Sequence, residues 1–175
     1  MKIFDCFMYF DEDLILNIRL NCLNKYVDKF VIVESIFNHK GIKRKPKFNI
    51  NKFKKFKKKI KYILLKKQPN NLQKILKTDN EEKRTIKYIM NAVKRENFQR
   101  NMIEKGLTSA QDNDLILISD VDEIPNLKDI NFKKIKEKII LFKQMMIYYK
   151  FNLKLNKLNW YGTKACKLKN LKSPQ

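Results

Sequence analysis

Residues 2–10 (KIFDCFMYF) form an unbroken apolar and aromatic run that predicts a buried strand. Asp11 can cap a helix over about residues 13–25, in which Leu14, Ile15, Ile18 and Cys22 recur at helical spacing. Phe30-Val31-Ile32-Val33 is a short β-branched run between polar residues, again a buried strand. Residues 36–59 are rich in lysine and broken by Gly41 and Pro46, with Phe53 and Phe56 on one face of a short basic helix. Lys61 to Leu65 reads as a third strand.

Thr78-Asp79-Asn80-Glu81 has the spacing of a capping box and opens a long helix that runs to Lys105 and stops at Gly106. Leu115-Ile116-Leu117-Ile118 is apolar on both faces, as central parallel strands are. Pro125 and Asn126 interrupt the chain before a lysine-rich helix near 131–138, and Ile139 to Phe151 supplies a further strand or two. Strands alternating with helices predict an α/β sandwich around a largely parallel sheet. There is no internal repeat and no linker, so residues 1–175 read as one domain.

Length and composition agree with that picture. A chain of 175 residues, 43% hydrophobic and 33% charged, buries a real core and is not a disordered sequence. Cys6, Cys22 and Cys166 form no CxxC pair, which argues against a zinc site or a disulfide framework and suits a reducing compartment. The N-terminal apolar stretch is interrupted by Asp5 and closed by Asp11-Glu12-Asp13, unlike a signal peptide, and no run approaches a membrane span. The expected location is cytoplasmic, or peripheral at a membrane.

The net charge of +22 calls for an anionic partner: nucleic acid, anionic lipid or a phosphorylated substrate. Yet only five of the 40 basic residues are arginine (Arg19, Arg44, Arg84, Arg95, Arg100), and base readout relies on arginine's planar fork. Most of the lysines therefore read as a solvated surface.

Against that background, residues 112–123 carry five carboxylates and no lysine or arginine. Asp120-Val121-Asp122-Glu123 sits where an apolar strand ends, the ligand-binding edge of an open α/β sheet. Grouped carboxylates repel one another unless a cation joins them, and hard oxygen ligands favour Mg²⁺ or Mn²⁺. A solvated turn also accommodates a DxD pattern; the preceding strand and the local reversal of charge favour the metal. A second group, Arg95, Glu96, Gln99 and Arg100, pairs at i,i+4 on the long helix. Such spacing is also that of routine helix-surface pairing; arginine there, in a chain that elsewhere uses lysine, favours planar hydrogen bonding to phosphate or a base. Glu34 leaves the second strand at the same sheet edge, followed by the lone histidine, His39, which reads first as a loop or capping residue and only second as a ligand contact.

These blocks resemble glycosyltransferase family 17, whose animal members add a bisecting N-acetylglucosamine to N-glycans. The likeness rests on residues 2–7 (KIFDCF), 30–35 (FVIVES) with His39 following, 95–101 (RENFQRN), 114–125 (DLILISDVDEIP) and 160–164 (WYGTK). The resemblance implies a GT-A-like, Rossmann-like open sheet flanked by helices, a UDP-GlcNAc donor, Mn²⁺ or Mg²⁺, and inverting transfer to a glycan hydroxyl. By position it makes Asp120 and Asp122 the metal ligands, and Glu34, His39, Arg95, Gln99, Arg100 and Asp120 the donor site. Glu123, beside the metal motif, is the expected base, with Asp122 next to it and Glu34 as an alternative. Trp160 and Tyr161 are placed to stack on acceptor sugar, or to fill an aromatic core corner. Family members continue past the WYGTK block, so part of the acceptor side is expected beyond Gln175; the animal members carry a membrane anchor, and none is visible in these residues, so their location is not carried over.

Two other readings compete. One is a different metal-dependent nucleotide-donor transferase, such as a nucleotidyltransferase. The other is a single-strand nucleic-acid-binding module using basic residues 43–61, with Phe48, Phe53, Phe56 and Tyr62 as stacking platforms. The latter leaves the acidic island without a task, so no specific nucleic-acid partner is expected. A peripheral contact of the basic segment with an anionic membrane is compatible with catalysis.

Overall fold

The computed structural model describes residues 1–147, 153–155 and 157–175. A six-stranded mixed sheet organises the chain, built from β1 (Ile3–Tyr9), β2 (Lys29–Ser35), β3 (Ile60–Leu65), β4 (Leu115–Ser119), β5 (Ile140–Gln144) and β6 (Trp160–Lys167). Their spatial order is β3-β2-β1-β4-β6-β5. The β3–β2, β2–β1 and β1–β4 pairs are parallel; β6 runs antiparallel to both β4 and β5.

The side-chain period of two sorts each central strand onto two cores. Ile3, Phe7, Phe30, Ile32, Leu115 and Leu117 face one side, where helix α1 (Asp13–Leu23) and the 3-10 helix Ile50–Phe56 cover them. Phe4, Cys6, Val31, Val33 and Ile116 face the other, packed against Ile103 and Leu107 beyond helix α2 (Glu81–Asn101). Because both faces are covered, these strands read as continuous apolar runs, which is why the sequence exposes them.

Several expectations are corrected. Helix α1 ends at Leu23, and its first residue follows Glu12, whose carboxylate accepts from the Phe10 and Asp11 N–H groups; Asp11 does not cap. The buried face of α1 is Leu16, Arg19, Leu20 and Leu23, whereas Leu14, Ile18 and Cys22 are exposed. The helix is thus rotated away from its apparent stripe so that Arg19 can reach the Asp5 carboxylate in the core. The cap of α2 is Asn80, whose side chain accepts from the Lys83 N–H, so Thr78 is not the cap. That helix stops at Asn101 and continues as a 3-10 turn, Met102–Gly106. Gly106 is needed there for space: a Cβ would collide with Val31 of the central sheet.

No helix forms near 131–138; the chain passes in turns, anchored to the main core by Leu127 and Phe132 and reversed at Asp129, with φ of 61°. Of the strand or two foreseen over 139–151, β5 occupies Ile140–Gln144, and residues 148–151 lie outside the described residues. Strand β6, not foreseen, slots between β4 and β5. No helix among the described residues is long and apolar enough to cross a membrane.

Candidate active site

In the parallel part of the sheet the chain moves from β1 outward through β2 to β3, then returns to place β4 on the other flank of β1. This reversal opens a crevice at the carboxyl ends of β1 and β4, the place where open α/β sheets bind ligands. A cleft of 960 Å³ lies there. Tyr9 and Phe10 at the end of β1, Asp120 to Ile124 after β4, Gln99 of α2 and Trp160 of β6 all line it.

The Asp120–Glu123 turn is tightly built. The Glu123 N–H donates to the Asp120 carbonyl (3.1 Å) and the Ile124 N–H to that of Asp122 (3.0 Å). The Glu123 carboxylate accepts the Asp120 N–H at one oxygen (2.9 Å) and the Trp160 indole N–H at the other (2.9 Å). Its backbone carbonyl accepts the Thr163 hydroxyl (2.7 Å). Strand β6 therefore carries the aromatic wall of the cleft and also fixes the acidic turn.

Gly162 permits that approach: a Cβ there would lie 2.6 Å from Glu123 Cδ and 2.7 Å from its Oε1, and would also strike Gln144. Gly162→Ala is expected to cost about 1–3 kcal/mol through overpacking. It should also part Glu123 from Trp160. Urea unfolding measures the first effect, and a shift in emission from Trp160, the chain's one tryptophan, measures the second.

Asp120 and Asp122 are both exposed at the cleft. Asp120 Oδ1 accepts from Arg100 Nη2 at 3.0 Å, and the same nitrogen donates to Glu96 Oε1 at 3.1 Å. Among the described residues no group of three or more His, Cys, Asp or Glu side chains is placed to hold a metal ion. The second Asp120 oxygen and the Asp122 carboxylate have no side-chain partner among the described residues, and such hard oxygen donors suit a divalent cation in kind.

The remaining candidates divide. His39, Gln99 and Trp160 line the cleft, and Gln99 is fixed by donating to the Val33 carbonyl (2.8 Å). Arg95 instead ties loops together, donating to Gln68 (2.7 Å) and to the His39 carbonyl (3.0 Å). Burial lowers the pKa of its guanidinium from the ordinary value. Gly41, at φ +84°, passes so close to Arg95 that a Cβ would lie 2.7 Å from the guanidinium carbon.

Glu34 is fully buried and is not among the cleft's lining residues. Its carboxylate accepts from Arg44 (3.0 and 3.1 Å), the Lys47 and Phe48 N–H groups and the Tyr62 hydroxyl. Tyr62 in turn is pushed well above the ordinary phenol range, first by burial and then by that carboxylate. Tyr9 is raised likewise, by burial and by its bond to Asp13 (2.6 Å). Tyr161 follows Trp160 on a strand, so its side chain leaves the opposite face, and it is 48% exposed outside the cleft lining.

The aromatics of the basic segment face inward. Phe53 and Phe56 are each 3% exposed, and Phe48 stacks on Phe53 and Tyr62. Phe53 and Phe56 offer no open ring face to nucleobases, and half-buried Phe48 and Tyr62 stack on each other, which weakens the platform that a single-strand-binding module requires.

Sequence reasoning passed over Arg19 and Asp5. Both are fully buried, joined at 2.6 Å, and Arg19 also reaches the backbone of the acidic turn. The available signal was an arginine within an apolar helix and an aspartate within an apolar strand.

Comparison with known families places residues 1–170 within a model described as glycosyltransferase family 17. No curated protein and no solved structure matches the chain.

Proposed function

The chain belongs to glycosyltransferase family 17, and on that premise we propose that it transfers N-acetylglucosamine from UDP-GlcNAc to a glycan hydroxyl with inversion, on a GT-A-like fold. The observation that carries this reading is the pair Asp120 and Asp122 at the carboxyl end of β4, open to a cleft at the sheet's switch point.

Asp120 and Asp122 would hold Mn²⁺ or Mg²⁺, which, when bound, neutralises the donor diphosphate and makes it a better leaving group. Arg100 spends one terminal nitrogen on both Glu96 and Asp120, leaving its other N–H groups for charge-assisted bonds to the same phosphates. Gln99 and His39 complete the donor wall. Glu123 receives the acceptor hydroxyl's proton as that oxygen attacks the anomeric carbon from the side away from the diphosphate. Its oxygens accept from Asp120 and Trp160, and each retains lone-pair capacity for an incoming hydroxyl. Trp160, 41% exposed, offers a ring edge and face to the acceptor sugar.

The test is a panel of UDP-sugars with mannose-terminated glycans, in Mn²⁺ or in EDTA. Mass spectrometry should show one N-acetylhexosamine added only with UDP-GlcNAc and metal, and NMR should show a β-linkage. Pyrophosphate release from a nucleoside triphosphate without sugar transfer would support nucleotidyl transfer instead.

A further inference from the structure

We propose that Arg19 is the positioning residue of the acidic turn: its buried guanidinium gathers the turn's carbonyls and so sets where Asp120 and Asp122 stand. Arg19 Nη1 donates to the carbonyl oxygens of Asp120 (2.9 Å), Val121 (3.2 Å) and Glu123 (3.1 Å). Nη2 donates to Ser119 Oγ (2.6 Å) and Asp5 Oδ1 (2.6 Å), and Nε to Asp5 Oδ2 (2.8 Å). One side chain on α1 thus joins the middle of β1, the end of β4 and three residues of the turn that follows.

The arrangement is specific to a planar fork. A carbonyl turned inward and left without a donor costs free energy; Arg19 is the one donor to the Val121 carbonyl among the described residues, and it shares Asp120 with the Glu123 N–H and Glu123 with the Thr163 hydroxyl. Strand β6 holds the Glu123 end of the turn through Thr163 and Trp160, and Arg19 is the side chain that ties three of the turn's residues at once to the core. Asp5 supplies the countercharge and, with both oxygens engaged, fixes the guanidinium plane. The Phe7 ring, 4.6 Å from the guanidinium carbon, closes the remaining side. Lysine brings the same charge but one compact nitrogen, which cannot hold Asp5 in bidentate fashion and the turn as well. An ion pair serving stability alone has no need of the turn's carbonyls, since apolar residues of similar volume often serve as well.

The link to Asp120 and Asp122 as metal and donor ligands rests on the function proposed above; the control of the turn's shape does not. Two variants, Arg19→Lys and Asp5→Asn, test both. Hydrogen exchange at the Glu123 and Ile124 amides reads the turn, Trp160 emission reads its contact with Glu123, and calorimetric titration with UDP and Mn²⁺ reads the site. Both variants should unfold cooperatively, exchange these two amides about tenfold or more faster relative to β1 amides, and bind UDP–Mn²⁺ about 10–100-fold more weakly, as loss of a ligand's outer support does. Wild-type exchange, emission and UDP–Mn²⁺ affinity in a variant that merely melts earlier would overturn the proposal. If neither single variant folds, the paired replacement Arg19→Met with Asp5→Leu, which leaves no uncompensated buried charge, takes the same three readouts and decides it. If the unaltered protein binds no UDP–Mn²⁺, the functional reading falls, while exchange at the turn still decides the role of Arg19.

Discussion

Asp120→Asn is expected to lower sugar transfer about 10²–10³-fold, the scale of losing one strong electrostatic contact to charge that develops in the transition state. The change keeps the side chain's size and leaves an amide oxygen that can still accept from Arg100, so the turn should hold. Asp120 is 52% exposed, and its pair with Arg100 reaches solvent, so stability should move by no more than about 0.5 kcal/mol. The expected signature is a collapse of turnover with an unchanged melting curve. Asp122→Asn should behave alike, since Asp122 has no hydrogen bond to another side chain among the described residues that would give it a structural task. Steady-state kinetics at saturating Mn²⁺ beside a thermal melt measures both quantities. Full metal-dependent turnover in Asp120→Asn would remove the assignment of the acidic turn.

Glu34→Ala should show the opposite signature, a large loss of stability with little effect on donor affinity in whatever remains folded. Removing this fully buried carboxylate leaves the Arg44 guanidinium, two backbone N–H groups and the Tyr62 hydroxyl without their acceptor. Breaking a buried pair from one side costs about 3–5 kcal/mol, and the 13% exposure of Arg44 places this case at the lower end. At roughly 2–4 °C per kcal/mol for a domain of this size, the melting temperature should fall by about 6–12 °C. Arg44 also donates to the Phe10 carbonyl and stacks on its ring at 3.8 Å, so the loosening should spread to the end of β1. An unchanged melting curve with a raised donor KM would instead return Glu34 to the donor site. The contrast with Asp120 follows from burial: both are acidic residues at or beyond the end of a parallel strand, but only one has been taken out of water.

Which parts of this molecule could be read from its sequence follows the range of the forces involved. β1, β2 and β4 were legible because strands covered on both faces are apolar at nearly every position, and edge strand β3 because Ile60, Tyr62, Ile63, Leu64 and Leu65 are a short apolar run; only local composition is needed to see either. The acidic turn was legible for a related reason: carboxylates among lysines stand out without any knowledge of the fold. The family resemblance is borne out over residues 1–170. The face of α1 was misread because Leu14, Ile18 and Cys22 make an apolar stripe as regular as Leu16, Leu20 and Leu23. Spacing cannot choose between two stripes. What chose was Arg19, which must meet a carboxylate fourteen residues earlier and carbonyls a hundred residues later. The helix expected near 131–138 yielded for a similar reason, its apolar side chains being spent on anchoring turns to the core.

By itself, then, the sequence determined the α/β class, the parallel centre of the sheet, the position of the acidic turn and the kinship with a glycosyltransferase family, all written in composition and order over a few residues. The tertiary structure alone decided that β6 would enter between β4 and β5, that Trp160 and Glu123 would meet across Gly162, and that Glu34 and Arg19 would be sealed in the core. Those outcomes depend on contacts between residues far apart along the chain, where a charge is tolerated in the interior only if a partner arrives from elsewhere to neutralise it.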